Sequence, residues 1–300
     1  MAELSSDATN QTSIIPMEYR VGLVFLYSVV FLGGSVGIGL MSTILKSNMS
    51  ITTVSVINLL VVHLLFLLTV PFRIYYYAGN HWALGSTFCK LVSSMIHAHI
   101  YLTLIFYIVI LTARYLAYFE LGYRLEFYRV LHAVMASVTL WVIILGSALP
   151  ATVVNYGSAA TGGGNEVCFN FGASLSYSPV GVLNYIMSAV VLLVCIVLAS
   201  IQLWILSRVY RKHGQASFAH QEFWAQIKSL CFVLIMFLFF VPYHAFRIYY
   251  VSNYWDGLQI VNEVFLTFTT FSCFDMLTFA GRGVWRPVYI KCCALWERKR

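Results

Sequence analysis

Residues 57–68 read INLLVVHLLFLL, ten apolar side chains interrupted only by Asn58 and His63. The run holds no glycine, proline or other turn former, and its apolar character extends from about 52 to 77. That is longer than the roughly 20 residues a helix needs to cross a bilayer. Sixty per cent of the 300 residues are hydrophobic and only 10% are charged, where a soluble chain carries roughly a quarter. Water is therefore not the solvent for most of this surface. Six further stretches have the same character, near 21–45, 87–118, 130–152, 179–210, 222–252 and 258–281. Hydrocarbon offers no partner to backbone N–H and C=O groups, so each segment must pair its own as a helix. The fold class expected is an all-α membrane protein, a seven-transmembrane helix bundle with a short amphipathic eighth helix. Residues 1–20 are expected as an extracellular tail, 21–281 as the bundle, and 282–300 as the amphipathic helix and cytoplasmic tail.

Charge supplies the orientation. If the N-terminus lies outside, all but four of the 18 Lys and Arg fall on the inner side; the exceptions are Arg20, Arg73, Lys90 and Arg247. The positive-inside rule then expects an outer N-terminus and an inner C-terminus. The net charge of +7 reads as membrane topology, and no nucleic-acid partner is expected. Residues 1–20 lack the pattern of a cleaved signal, so the first span is expected to direct insertion itself. Of seven cysteines, only Cys89 and Cys168 fall on the oxidising side, which makes one disulfide between them the economical expectation. Asn10-Gln11-Thr12 is a glycosylation acceptor on that side. After Gly281, Trp285, Tyr289, Cys292 and Trp296 share one helical face ringed by basic residues, as in a helix lying on a membrane surface. The adjacent Cys292 and Cys293 are palmitoylation candidates.

From Cys89 to Arg114 is 25 residues, about 37 Å of helix, so one span carries an outer cysteine at its top and an arginine at its base. At this point the chain resembles the rhodopsin-like G-protein-coupled receptors. TARY (112–115) stands at that family's Asp-Arg-Tyr motif, and Trp82, Gly85 and Cys89 match its first outer loop. Trp141 matches its fourth helix, FFVPYH (239–244) its sixth, and SCFDMLTFAG (272–281) the Asp-Pro-x-x-Tyr region of its seventh. The resemblance implies a receptor without enzymatic activity in the plasma membrane. Its partners would be an extracellular ligand and a heterotrimeric G protein, and no cofactor or metal is expected.

The same resemblance assigns roles. His63 takes the position of an aspartate that binds sodium in most relatives, with Asp275 expected beside it and Thr103 and His99 nearby. An imidazole there removes a sodium ligand, so independence of sodium and a response to pH are expected; a neutral, hydrogen-bonded structural histidine is the alternative. Ala113 replaces the acid that normally restrains Arg114, leaving Glu222 as its partner, which predicts raised basal signalling. Phe240 stands in for a tryptophan above Pro242. Met276 replaces a proline, which predicts a straighter seventh helix, and Phe279 replaces a tyrosine; together these departures leave a non-coupling receptor homologue as the second reading. Ile96 replaces the aspartate of amine receptors. Arg73, His97, Tyr101, Tyr243, His244 and Arg247 give the upper bundle a basic, aromatic character, with Glu263 near Arg247, and an anionic ligand is expected. A histidine-based haem or proton-conducting protein is the reading from another class.

Overall fold

A computed structural model describes residues 15–44, 51–119, 126–144, 146, 168–169, 178–214, 221–253 and 256–279, with the backbone alone at 44, 51, 126–130, 178–180, 221–222, 256 and 279. The glycosylation acceptor Asn10, the amphipathic segment 282–300 with Cys292 and Cys293, and the Glu222 side chain lie outside this description.

The first crossing is α1 (Met17–Ile44). The second is α2 (Ile51–Leu67) continued by α3 (Val70–Gly79). The third is α4 (Ser86–Tyr118) and the fourth α5 (Glu126–Ile143). The fifth is α6 (Ser178–His213), 36 residues without a break. The sixth joins α7 (Gln221–Ile235) to α8 (Val241–Ser252) through a π-helical turn at Met236–Phe240. The seventh joins α9 (Asp256–Thr269) to α10 (Asp275–Phe279) through a 3-10 turn at Thr270–Phe274. Six crossings are long and apolar enough to span a bilayer, and Leu131–Ile143 of the fourth is a shorter apolar helix among the described residues.

The breaks have local causes. Pro71 lacks an N–H, so the ladder between α2 and α3 tightens: Thr69 N donates to Phe66 O at 2.8 Å, and Phe72 N to Thr69 O at 3.2 Å. Pro242 sits in the first turn of α8, where a missing donor costs least. The seventh crossing contains no proline, yet it is not the uninterrupted helix expected from Met276. Threonine hydroxyls at 267, 269 and 270 donate back to Glu263 O, Leu266 O and Thr267 O at 2.6–2.7 Å. Such back-bonding competes with the helical ladder, and the 3-10 turn follows directly.

The helices close a ring. Crossing one packs on two and seven, α2 on α4 and α5, α6 on α7 and α8, and α8 on α9. Glycines bring the first and seventh crossings into close contact. A Cβ at Gly37 would lie 3.2 Å from Met276 Cβ, and one at Gly34 3.4 Å from Cys273 Cβ. Small residues at membrane helix contacts allow this approach, which holds the 3-10 turn against α1. Two apolar cores fill the ring, one around Tyr107, Phe232 and Phe240, the other around Tyr77, Trp82 and Phe169.

Candidate functional site

The polar residues of the opening stretch are both satisfied by other crossings. Asn58 Nδ2 donates to Val54 O at 2.8 Å and Ser137 Oγ at 3.1 Å, and its Oδ1 accepts from Trp141 Nε1 at 2.8 Å. This amide ties the second crossing to the fourth. His63 lies five residues further along α2, wholly buried, between Val62 of one core and Phe66 of the other.

Around His63 the bundle gathers four more polar groups. Its Nε2 lies 3.1 and 3.2 Å from the two oxygens of Asp275. Its Nδ1 lies 2.9 Å from His99 Nε2, and the Cys273 thiol stands 3.5 Å from each of those two nitrogens. Tyr107 Oη donates to Asp275 Oδ2 at 2.6 Å. An ionised carboxylate only accepts, so the Nε2 facing Asp275 carries its proton. The His99 ring stacks on Phe66 with centroids 4.4 Å apart. His63, His99, Thr103, Cys273 and Asp275 are all at most 1% exposed.

A chain of contacts leads from this cluster along the bundle. The Tyr107 ring packs on Phe232 at 5.2 Å and on Phe240 at 6.3 Å. Phe232 in turn lies beneath the Arg114 guanidinium, 5.5 Å from its carbon. Arg114 Nη1 donates to Ser229 Oγ at 2.9 Å. Arg114 also lines a cleft of about 1150 Å³ at that end of the bundle, together with Arg208, Lys212 and Lys228. Four cationic side chains give this mouth a strongly positive wall.

At the opposite end, Cys89 and Cys168 form a disulfide with Cα atoms 5.8 Å apart. It positions Phe169, whose φ of 64° is rare for an aromatic residue. Phe169 covers the Arg73 guanidinium with its ring centre 4.4 Å away, and its carbonyl accepts from Gln259. Arg73 is wholly buried; it donates to Tyr27 Oη and Val92 O, both at 3.2 Å, and lies 3.8 Å from Glu263. Tyr77 Oη donates to the same Glu263 oxygen at 2.9 Å. Glu263 is thus engaged directly by Arg73 and Tyr77, and the Arg247 charge expected beside it acts on it as well. Arg247 donates to Asn184 and Asn262, each at 3.1 Å, and faces the Tyr250 ring. His244 shares a contact with Ser188 at 3.3 Å and packs against Tyr243 at 4.9 Å and Tyr101 at 6.2 Å. His97 is half-buried on α4.

Tyr107, Cys273 and Ser229 were not singled out in the sequence. Tyr107 had a signal, since 99, 103 and 107 follow at four-residue intervals down one helix face. Cys273 had none, because its approach to both histidines depends on the 3-10 turn.

Residues 40–278 match the family model for 7 transmembrane receptor (rhodopsin family). The human Probable G-protein coupled receptor 141 is 42% identical over 269 residues, covering 87% of this chain and 88% of that protein. The chimpanzee (Pan troglodytes) Probable G-protein coupled receptor 34 is 25% identical over 89% of this chain and 75% of its own length. A C-C chemokine receptor type 1 from Macaca fascicularis is 33% identical over 42% of this chain and 36% of its own. With seven apolar crossings, an end-capping disulfide and this match over most of its length, the chain belongs to the rhodopsin family of seven-transmembrane receptors, a receptor family and not an enzyme family.

Proposed function

We propose that this receptor passes an extracellular signal to a heterotrimeric G protein through the basic cleft at Arg114, and that it does so with raised basal activity. In this reading the N-terminus and the disulfide lie outside and the Arg114 end faces the cytoplasm, which the excess of Lys and Arg at that end supports. The observation that carries the reading is the setting of Arg114. Among the described residues its hydrogen bond goes to a neutral hydroxyl, Ser229, and its neighbour in the sequence is Ala113 where relatives hold an acid. A hydroxyl restrains a guanidinium less than a carboxylate does, because a carboxylate adds a full opposite charge and can accept two parallel N–H bonds, whereas a hydroxyl offers only its dipole. The contacts from Asp275 through Tyr107 and Phe232 to Arg114 provide a packed route by which the bundle centre biases the cleft.

The ligand in this reading carries an anionic group. Arg247 and His244 sit one turn apart on α8 at the disulfide end, with Tyr101 and Tyr243 beside them. Arg73 and Glu263 act instead as an internal pair that holds crossings two and seven together beneath Phe169.

Restoring the missing acid tests the restraint. Ala113→Asp should lower basal G-protein activation relative to wild type at equal surface expression. An unchanged or higher basal signal would remove the basis for the proposed loose switch.

A further inference from the structure

We propose that His63 Nδ1, His99 Nε2 and Cys273 Sγ form a binding site for a divalent transition-metal ion of the zinc class, buried at the centre of the bundle. This goes beyond the receptor reading and does not depend on coupling. The three atoms come from three crossings and converge to 2.9, 3.5 and 3.5 Å from one another. In a tetrahedral site with metal–nitrogen bonds of about 2.05 Å and a metal–sulfur bond of about 2.3 Å, such atoms stand roughly 3.4 Å (N to N) and 3.6 Å (N to S) apart. The two imidazoles therefore need to part by only about half an ångström to admit an ion, and the thiolate is already in range.

The surroundings complete the chemistry. With His63 as a neutral imidazole, Asp275 accepts from Nε2–H and the lone pair of Nδ1 points at His99 and Cys273. A carboxylate behind a ligating histidine orients the ring and raises its basicity. Tyr107 fixes that carboxylate from its other side, and Phe66 fixes the His99 ring. On binding, the thiol proton is released to bulk water and His99 shifts its own proton from Nε2 to Nδ1, a buried atom with no hydrogen-bond partner among the described residues. A divalent ion, one thiolate and the Asp275 carboxylate then sum to zero charge, which suits a wholly buried position. The donor set also selects the metal. Two imidazoles and a thiolate favour borderline-soft ions, whereas sodium, magnesium and calcium require oxygen, and the Asp275 oxygens are held by His63 and Tyr107. Three protein ligands leave a fourth position on the ion open. Because the ligands tie crossings two, three and seven together, the bound ion would hold their relative positions.

The test is metal uptake by the intact purified receptor, stripped with chelator and then supplied with cobalt(II) as a spectroscopic substitute for zinc. About one equivalent is expected, with tetrahedral cobalt bands and a thiolate-to-metal absorption. Cys273→Ser should abolish the thiolate band and lower uptake at least tenfold, while Cys195→Ser and Cys231→Ser should leave both unchanged. Zinc should also raise the melting temperature of the wild type but not of Cys273→Ser. Wild-type receptor that binds no cobalt, or a thiolate band that survives Cys273→Ser, overturns the proposal, and neither result bears on G-protein coupling.

Discussion

Glu263→Gln isolates one charge. The substitution keeps the side chain's volume and an acceptor for the Tyr77 hydroxyl, and it removes only the negative charge facing Arg73. Arg73 is then a wholly buried cation whose hydrogen bonds go to Tyr27 Oη and Val92 O. Removing one member of a buried pair costs about 3–5 kcal/mol. Two features temper that figure here: the pair stands at 3.8 Å without a direct hydrogen bond, and the faces of Phe169 and Tyr27 lie against the guanidinium at 4.4 and 5.7 Å. Desolvated cation–π contacts offset up to about 2 kcal/mol, so the expected loss is about 2–3 kcal/mol. At about 2–4 °C per kcal/mol for a chain of this class of size, the melting temperature should fall by about 5–10 °C. A thermal melt of purified receptor, followed by intrinsic tryptophan fluorescence, measures it. The double variant Arg73→Met with Glu263→Gln removes the stranded cation and should recover most of the loss. An unchanged melt for Glu263→Gln, or a double variant no better than the single one, would refute the pairing argument.

Other outcomes follow from the same geometry. Asn58→Leu strands the Trp141 indole N–H, while the Ser137 hydroxyl keeps its bond to Ala133 O; it should cost about 1–2 kcal/mol, seen as a lower melting temperature and an altered Trp141 emission. Tyr107→Phe deletes one oxygen without opening a cavity. Interhelical hydrogen bonds in membranes average about 0.6 and reach about 1.7 kcal/mol, and with a carboxylate acceptor the upper figure applies, measurable as a small but definite drop in the melt. Cys89→Ser, Cys168→Ser and the double variant should lose surface expression to the same degree. The bridge closes a separation of 79 residues, worth about 4 kcal/mol by chain entropy, and a greater loss in the double variant would show that the two thiols act separately.

The seven crossings were legible because apolar length is a property of each segment alone. The breaks at Pro71 and Pro242 were not read from the sequence, although proline withdraws a donor wherever it stands. The break in the seventh crossing was misread. Met276 removes the proline at that position, but the threonine hydroxyls at 267, 269 and 270 redirect the ladder without one. Resemblance brought His63 and Asp275 together on paper, but nothing in the sequence brought Cys273 to His63. A cysteine in an apolar span reads as a small hydrophobe, and a 3-10 turn rotates its side chain by a different angle than an α-helix. Glu263 was expected near Arg247, whose charge does act on it, but its direct partners are Arg73 and Tyr77. The choice of Arg73 is made by packing, through Tyr77 and the Phe169 cover that the disulfide holds in place.

We propose that Arg114, at the mouth of the basic cleft, transmits the state of the bundle to a G protein. The most direct measurement is GDP release from a purified heterotrimer in the presence of the receptor in lipid nanodiscs, comparing wild type with Arg114→Ala. Faster release is expected with wild-type receptor even without added ligand, and none above background with Arg114→Ala. Equal rates with the two receptors, on heterotrimers of every subtype, would contradict it.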